Sequence, residues 1–280
     1  MPRYVFYPLL LIIILSMVYL MKNDDITTIK FFPIDDSITI DTAQTILEME
    51  NNDDINWTVS STSSEQAYLR QDISLLYANG LFKGVFSAWE QDVTSLKQHL
   101  SFSPSNAEHL TAISFHHAEI HHADDSITSA QKMTENELFV VKEDSEYYSF
   151  HTPSNEKELK WKEQLNQTTN EQLWNNWHRL MNHFDIHQDD YITIPLIDLY
   201  QYETDNFPNQ TREETKAILG KLWAGLYKNY VVLFNDQNNR ESRHFMPLVL
   251  YPKNDQYLLV IYELNGQEQI LVQQIPVSES

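Results

Sequence analysis

Four of the chain's eleven histidines fall in one short segment, SFHHAEIHHADD, residues 114–125. Imidazole and carboxylate are side chains that a zinc ion accepts, and three such ligands leave a fourth position for water. In an extended strand, alternation puts His117, Glu119 and His121 on one face, continuing from Ile113 and Phe115. On a helix, His117 and His121 would align one turn apart. The spacing is neither H-E-x-x-H nor the H-x-H of a cupin barrel, so a further ligand such as Asp124 or Asp125 would be needed. Two other readings compete with a metal site. Clustered imidazoles could form a patch that titrates at about pH 6, or the segment could simply be the polar face of a strand.

A second segment, HFDIHQDDYITIPL over residues 183–196, follows an amphipathic helical pattern and resembles an EF-hand loop. The resemblance implies calcium ligation by Asp185 at the first loop position and Asp189 at the fifth, with His187 between them and Ile192 at the apolar eighth. The segment departs from the pattern at four places, one being that His187 stands in place of an oxygen ligand. Asp190 stands where the turn glycine belongs, Leu196 stands in place of the bidentate glutamate, and Pro195 interrupts the outgoing helix. A helix-to-strand loop held by Asx turns accounts for the same residues.

Several chemistries are excluded by composition. There is no cysteine, which removes disulfides, thiol nucleophiles and thiolate metal sites together. Five glycines are too few and too scattered for a phosphate-cradling loop, and Gly220-Lys221 lacks the preceding glycine of a P-loop. No G-x-S-x-G elbow occurs. Nineteen basic against forty acidic residues give a formal charge of −21, and no basic stripe exists to hold phosphates, so nucleic-acid binding is not expected. No cofactor is expected beyond zinc at the histidines or calcium at the aspartates. Trp161, Trp174, Trp177 and Trp223 stand at helical spacing and read as core rather than as a carbohydrate platform.

The elements that would position these residues are partly legible. Asn79-Gly80, between ISLLYA and LFKGVFSAW, predicts a type I′ hairpin turn. A strand is expected from about Leu110 to His121, followed by a hairpin from LFVV to YYSFH. Thr169 and Gln172 suggest a capping box at the start of a helix whose apolar face is Leu173, Trp174, Trp177, Leu180, Met181 and Phe184. Thr211 and Glu214 suggest another, ahead of Ile218, Leu222, Trp223 and Leu226. The segments MPLVLY, QYLLVIYEL and QILVQQIPV predict a closing antiparallel meander.

Residues 5–21 carry no charge and would span roughly 25 Å as a helix, against a bilayer core of about 30 Å. No small-x-small cleavage site follows. The pattern predicts an α+β protein: a cytoplasmic tail (1–4), a transmembrane anchor (5–21), an acidic stalk with the first strands (22–50), and an extracytoplasmic domain (51–280). That domain is expected to contain antiparallel hairpins, two amphipathic helices and the meander, with a sub-boundary near residue 155. Arg3 against Asp24 and Asp25 predicts a single-pass protein with its N-terminus inside. The missing cysteine fits a Gram-positive cell membrane. The function expected is a membrane-anchored, non-catalytic binding or regulatory module with an envelope or membrane protein as partner. A divalent-metal-dependent envelope hydrolase using His117, Glu119 and His121 is the alternative, and a structural subunit of a membrane complex is a second.

Overall fold

The structure, a computed structural model, describes residues 32–35, 39–50, 53–235, 243–254 and 256–276. Strands make up 52% of it, and they are mostly antiparallel, so the fold is mainly β rather than the α+β fold expected from the sequence. The expected anchor over residues 5–21 lies outside the described residues. Among the described residues no helix is long and apolar enough to cross a membrane, and the expected single-pass membrane architecture is without structural support.

The first sheet contains β1 (Ile40–Met49), β2 (Ile55–Ala78), β3 (Leu81–Phe102), β4 (Ala107–His121), β5 (Ile127–Glu143) and β6 (Glu146–Phe150). Strands β2 and β3 are far longer than the flanks of Asn79-Gly80 suggested. The first half of β2 pairs with β1 and the second half with β4, while β3 pairs with β2 along most of its length. A register shift between Thr62 and Ala67 breaks the β2–β3 ladder between these halves, and such a shift bends a strand. Strand β1 thereby curls across β4 and β5, where Thr45 Oγ1 meets Thr134 Oγ1 at 2.6 Å and the Leu47 N–H donates to Asn136 Oδ1 at 3.2 Å. The result is a nearly closed, barrel-like sheet.

Its interior is layered. Leu47, Ile55, Trp57, Val59, Leu76, Leu110 and Val140 form one apolar cluster, and Ile40, Ala67, Ala118, Ile120 and Ala130 form another. Between them lies a buried polar layer. The Ser61 hydroxyl reaches both Asp72 carboxylate oxygens, at 2.9 and 2.7 Å, and accepts a hydrogen bond from the Arg70 guanidinium. Ser74, Ser114, Thr45 and Thr134 continue as a chain of hydroxyls. Arg70 and Asp72 are 0% exposed, and burial holds the Arg70 guanidinium below its usual proton affinity, partly offset by Asp72.

The outer face of β2, β4 and β5 contributes Ile73, Leu75, Tyr77, Ile113, Phe115 and Met133 to a larger core. Two helices and a second sheet cover it. Helix α1 (Glu156–His183) begins at an Asn155 N-cap whose side chain accepts from the Lys157 and Glu158 N–H groups. Thr169 is therefore buried mid-helix and caps nothing, because the apolar face through Leu173 and Trp177 has an amphipathic extension on its N-terminal side. Helix α2 (Arg212–Leu226) does begin with the Thr211–Glu214 capping box and continues through a π turn (Tyr227–Val231). Strands β7 (Tyr191–Pro195), β8 (Leu248–Pro252), β9 (Tyr257–Leu264) and β10 (Gln267–Gln274) form the second sheet in the order β10-β9-β8-β7.

Candidate functional site

The four clustered histidines go to four different environments. His116 points into the barrel-like sheet, where Nε2 lies 2.9 Å from Thr134 Oγ1. Its Nδ1 is 3.1 Å from Asp72 Oδ1 but off the line of a hydrogen bond. Asp72, His116 and Thr134 thus have the residue types of an acid–base–nucleophile relay. The arrangement is sealed, however: Asp72 and His116 are fully buried, and the Thr134 hydroxyl is occupied by Thr45. Its role is structural.

His117 lies on the opposite face, 2% exposed, and neither ring nitrogen has a partner. Glu119 and His121 pair with each other at 2.6 Å, and His121 stacks on Tyr68 with ring centroids 3.8 Å apart. His122 sits in the turn beside Thr128 and Asp35. Among the described residues no group of three His, Asp or Glu side chains is placed to hold a metal ion. Asp185 takes a positive φ at the end of α1, and Asp189 lies in a short 3-10 turn, where its carbonyl accepts from Lys253 Nζ at 2.8 Å. A cationic side chain is therefore seated on that loop.

Burial, with the Arg70 charge adding to it, lowers His117 from the ordinary histidine value to about 4. The neutral ring is the folded form, whereas the unfolded chain takes up a proton below about pH 6.5. This contribution is intact above that pH and is lost as the pH falls toward 4, by about 3 kcal/mol in all. Denaturant titrations at about pH 7 and pH 5 should show His117→Leu losing about 2 kcal/mol less stability than the native chain on acidification. Equal losses would contradict this placement.

A different part of the fold gathers polar groups around open space. The odd-numbered residues of β4 and β5 face the two helices, and register pairs Thr111 with Glu137 and Ile113 with Glu135. His109 stacks on Phe139, with centroids 4.5 Å apart, and its Nε2 lies 2.8 Å from Glu137 Oε1 without hydrogen-bond alignment. After Pro195 the chain turns into a 3-10 helix (Leu196–Glu203) that buries Leu196, Leu199 and Tyr202 and leaves Asp198 toward the sheet. Its far end is fixed where Glu203 Oε2 accepts from the Met133 N–H at 2.9 Å and Arg212 donates to the Tyr202 carbonyl at 2.8 Å. Helix α1 closes the third side with Asn166, Thr169, Asn170 and Trp177. The Trp177 indole N–H is spent on the Met246 carbonyl at 2.7 Å.

Two neighbouring cavities result. The larger, about 470 Å³, is lined by His109, Thr111, Glu135, Glu137, Asp198 and Tyr200 among others. The smaller, about 200 Å³, shares His109, Thr111, Glu137 and Asp198 and reaches Asn166 and Thr169. The larger volume falls within the range usual for small-molecule sites, about 300–1,000 Å³.

The electrostatics of this cleft are uneven. Burial raises Glu135, with Glu137 and Asp198 adding repulsion, and burial with Glu137 raises Asp198. For Glu137 burial acts upward too, but His109 and Lys162 together bring it below the ordinary value. A carboxylate raised in the folded state binds protons more tightly there than when unfolded, so its contribution to stability falls as pH rises through the folded value. Asp198→Asn should therefore raise the melting temperature at neutral pH and lose that advantage below about pH 4, where both states are protonated. A melting temperature lowered at neutral pH would contradict the repulsion.

Sequence nominates none of the cleft's ionisable residues, and it reads Thr169 as a helix cap and Trp177 as core. The i, i+2 carboxylates of Glu135 and Glu137 were the one available signal, and they look like the wet face of a strand. Comparison with known proteins gives no match, whether to family models, to curated proteins or to solved structures.

Proposed function

We propose that this protein is a non-catalytic binding module whose recognition site is the cleft between β4, β5, α1 and the 3-10 helix. One observation carries the reading. Thr169 is 5% exposed, lines the cavity, and its hydroxyl has no partner. A buried polar group left unpaired costs about 1–3 kcal/mol. Asn166 Oδ1, which lines the same space, is buried and without a partner as well. A ligand that supplies their missing partners recovers that cost on binding.

The test is a thermal-shift screen of amines, amino acids, sugars and organic acids against the native chain and Thr169→Val. The substitution keeps the shape and removes the unpaired hydroxyl, so the free variant should be as stable as the native chain or more so, by up to about 1 kcal/mol. A compound that stabilises the native chain should act less on the variant. Absence of any stabilising compound, or equal responses of the two chains, would contradict the reading.

A further inference from the structure

We propose that the ligand of this cleft presents a cation, an alkylammonium or guanidinium group, to Glu135, Glu137 and Asp198. The inference rests on the cleft being the recognition site and adds the chemical class of what enters it.

Three carboxylates from two separate elements converge on one cavity. Among the described lining residues there is no lysine or arginine. Lys162 of α1 approaches Glu137 at 3.6 Å, and His109 approaches it at 2.8 Å, so the compensation is directed to a single carboxylate. Glu203, on the same 3-10 helix as Asp198, is already held by the Met133 N–H.

The unpaired atoms point the same way. Asn166 Oδ1 accepts and the Thr169 hydroxyl can accept, while an ammonium offers three donors and a guanidinium five, with no acceptors. Tyr200 lines the larger cavity and Trp177 the smaller, and rings of this kind stabilise a cation held over their face within about 6 Å. An anion would meet three like charges and few free donors.

Binding is proton-linked on this account. Glu135 and Asp198 are raised by burial first and by their carboxylate neighbours second. A cation reverses the second effect, so entry displaces protons and affinity grows with pH.

Isothermal titration of the full chain at physiological ionic strength, with agmatine and spermidine as cationic probes and glycerol and citrate as controls, tests this. The expected result is one-site binding of at least one cationic probe, weaker at about pH 5 than at pH 7, with protons released. Asp198→Asn should weaken it by about tenfold or more, and Glu90→Gln, on the exposed part of β3, should leave it unchanged. Cation binding that ignores Asp198→Asn, or that Glu90→Gln weakens as much, would be diffuse attraction to an acidic surface and would overturn the inference. If glycerol or citrate binds in a Thr169→Val-sensitive manner and neither cation does, the cation inference fails and the cleft reading stands. If no probe binds, both fail.

Discussion

Asp72→Ala should destabilise the protein by about 3–5 kcal/mol, the range for removing one partner of a buried charge cluster. Arg70 is 0% exposed, and its Nε and Nη1 already lack partners. Asp72 Oδ1 lies 4.0 Å from Arg70 Nη2, with the Ser61 hydroxyl joining the two groups. Without the carboxylate, the guanidinium retains one hydroxyl and no compensating charge. Desolvation already dominates its surroundings, so little is left to offset the loss. Replacing both groups together, Arg70→Met with Asp72→Leu, removes the unpaired charge and should recover more than half of the single-variant loss. Guanidinium chloride titrations of the native chain, the two single variants and the double variant measure the coupling. A double variant as unstable as the sum of the singles would show that the layer is not an electrostatic unit.

The second large effect comes from two similar turns in different surroundings. Asn79-Gly80 joins β2 to β3 and Asn265-Gly266 joins β9 to β10, and all four residues have positive φ. The glycines are nearly matched, with φ of +77° at Gly80 and +73° at Gly266. An added Cβ at Gly266 meets nothing within 4 Å, whereas at Gly80 it falls 2.7 Å from Leu173 Cγ. Gly266→Ala should therefore cost only the backbone strain, at the low end of about 1–3 kcal/mol. Gly80→Ala should add overpacking against α1, a further 1–3 kcal/mol or about that. The difference between the two variants isolates the packing of the turn against the helix. Equal losses would mean that Leu173 moves aside freely, and that the cleft wall at Gly80 is soft.

These two sites also show what the sequence reveals and what it hides. Asn-Gly turns, the Thr211–Glu214 box and the apolar run of β9 are local, and each is set by residues within a few positions of one another. The polar layer is not local. Arg70, Asp72 and Ser74 alternate with Leu69, Gln71, Ile73 and Leu75, the usual pattern of a strand with one wet face. Here the sheet curls over that face, so the charged residues lie inside and the apolar ones meet the helices. Nothing within the segment announces the curl, which depends on β1 crossing to β5. The same masking made Thr169 look like a helix cap, since a threonine followed three residues later by glutamine fits a box wherever the true start lies.

The histidine segment and the cleft differ for a related reason. Spacing arguments apply within one element, and they place His117, Glu119 and His121 on one face of β4. They do not say that the ring of His117 would be sealed beneath the helices while His121 stacked on Tyr68 outside. The cleft draws His109 from β4, Glu135 and Glu137 from β5, Thr169 from α1 and Asp198 from the 3-10 helix. Only the tertiary fold brings them together, and no local periodicity could have nominated them.

The most direct test of the binding account is to follow backbone amides and tryptophan indole N–H groups of the isotopically labelled full chain by NMR while adding the best compound from the thermal-shift screen. The cleft account predicts shifts at the Trp177 indole, at Gly80, Thr111 and Glu137, and along the 3-10 helix around Asp198, while the Trp89 indole stays in place. Shifts confined to His116–Asp125 and Tyr68, with Trp177 and Asp198 unmoved, would contradict it and return the site to the histidine strand.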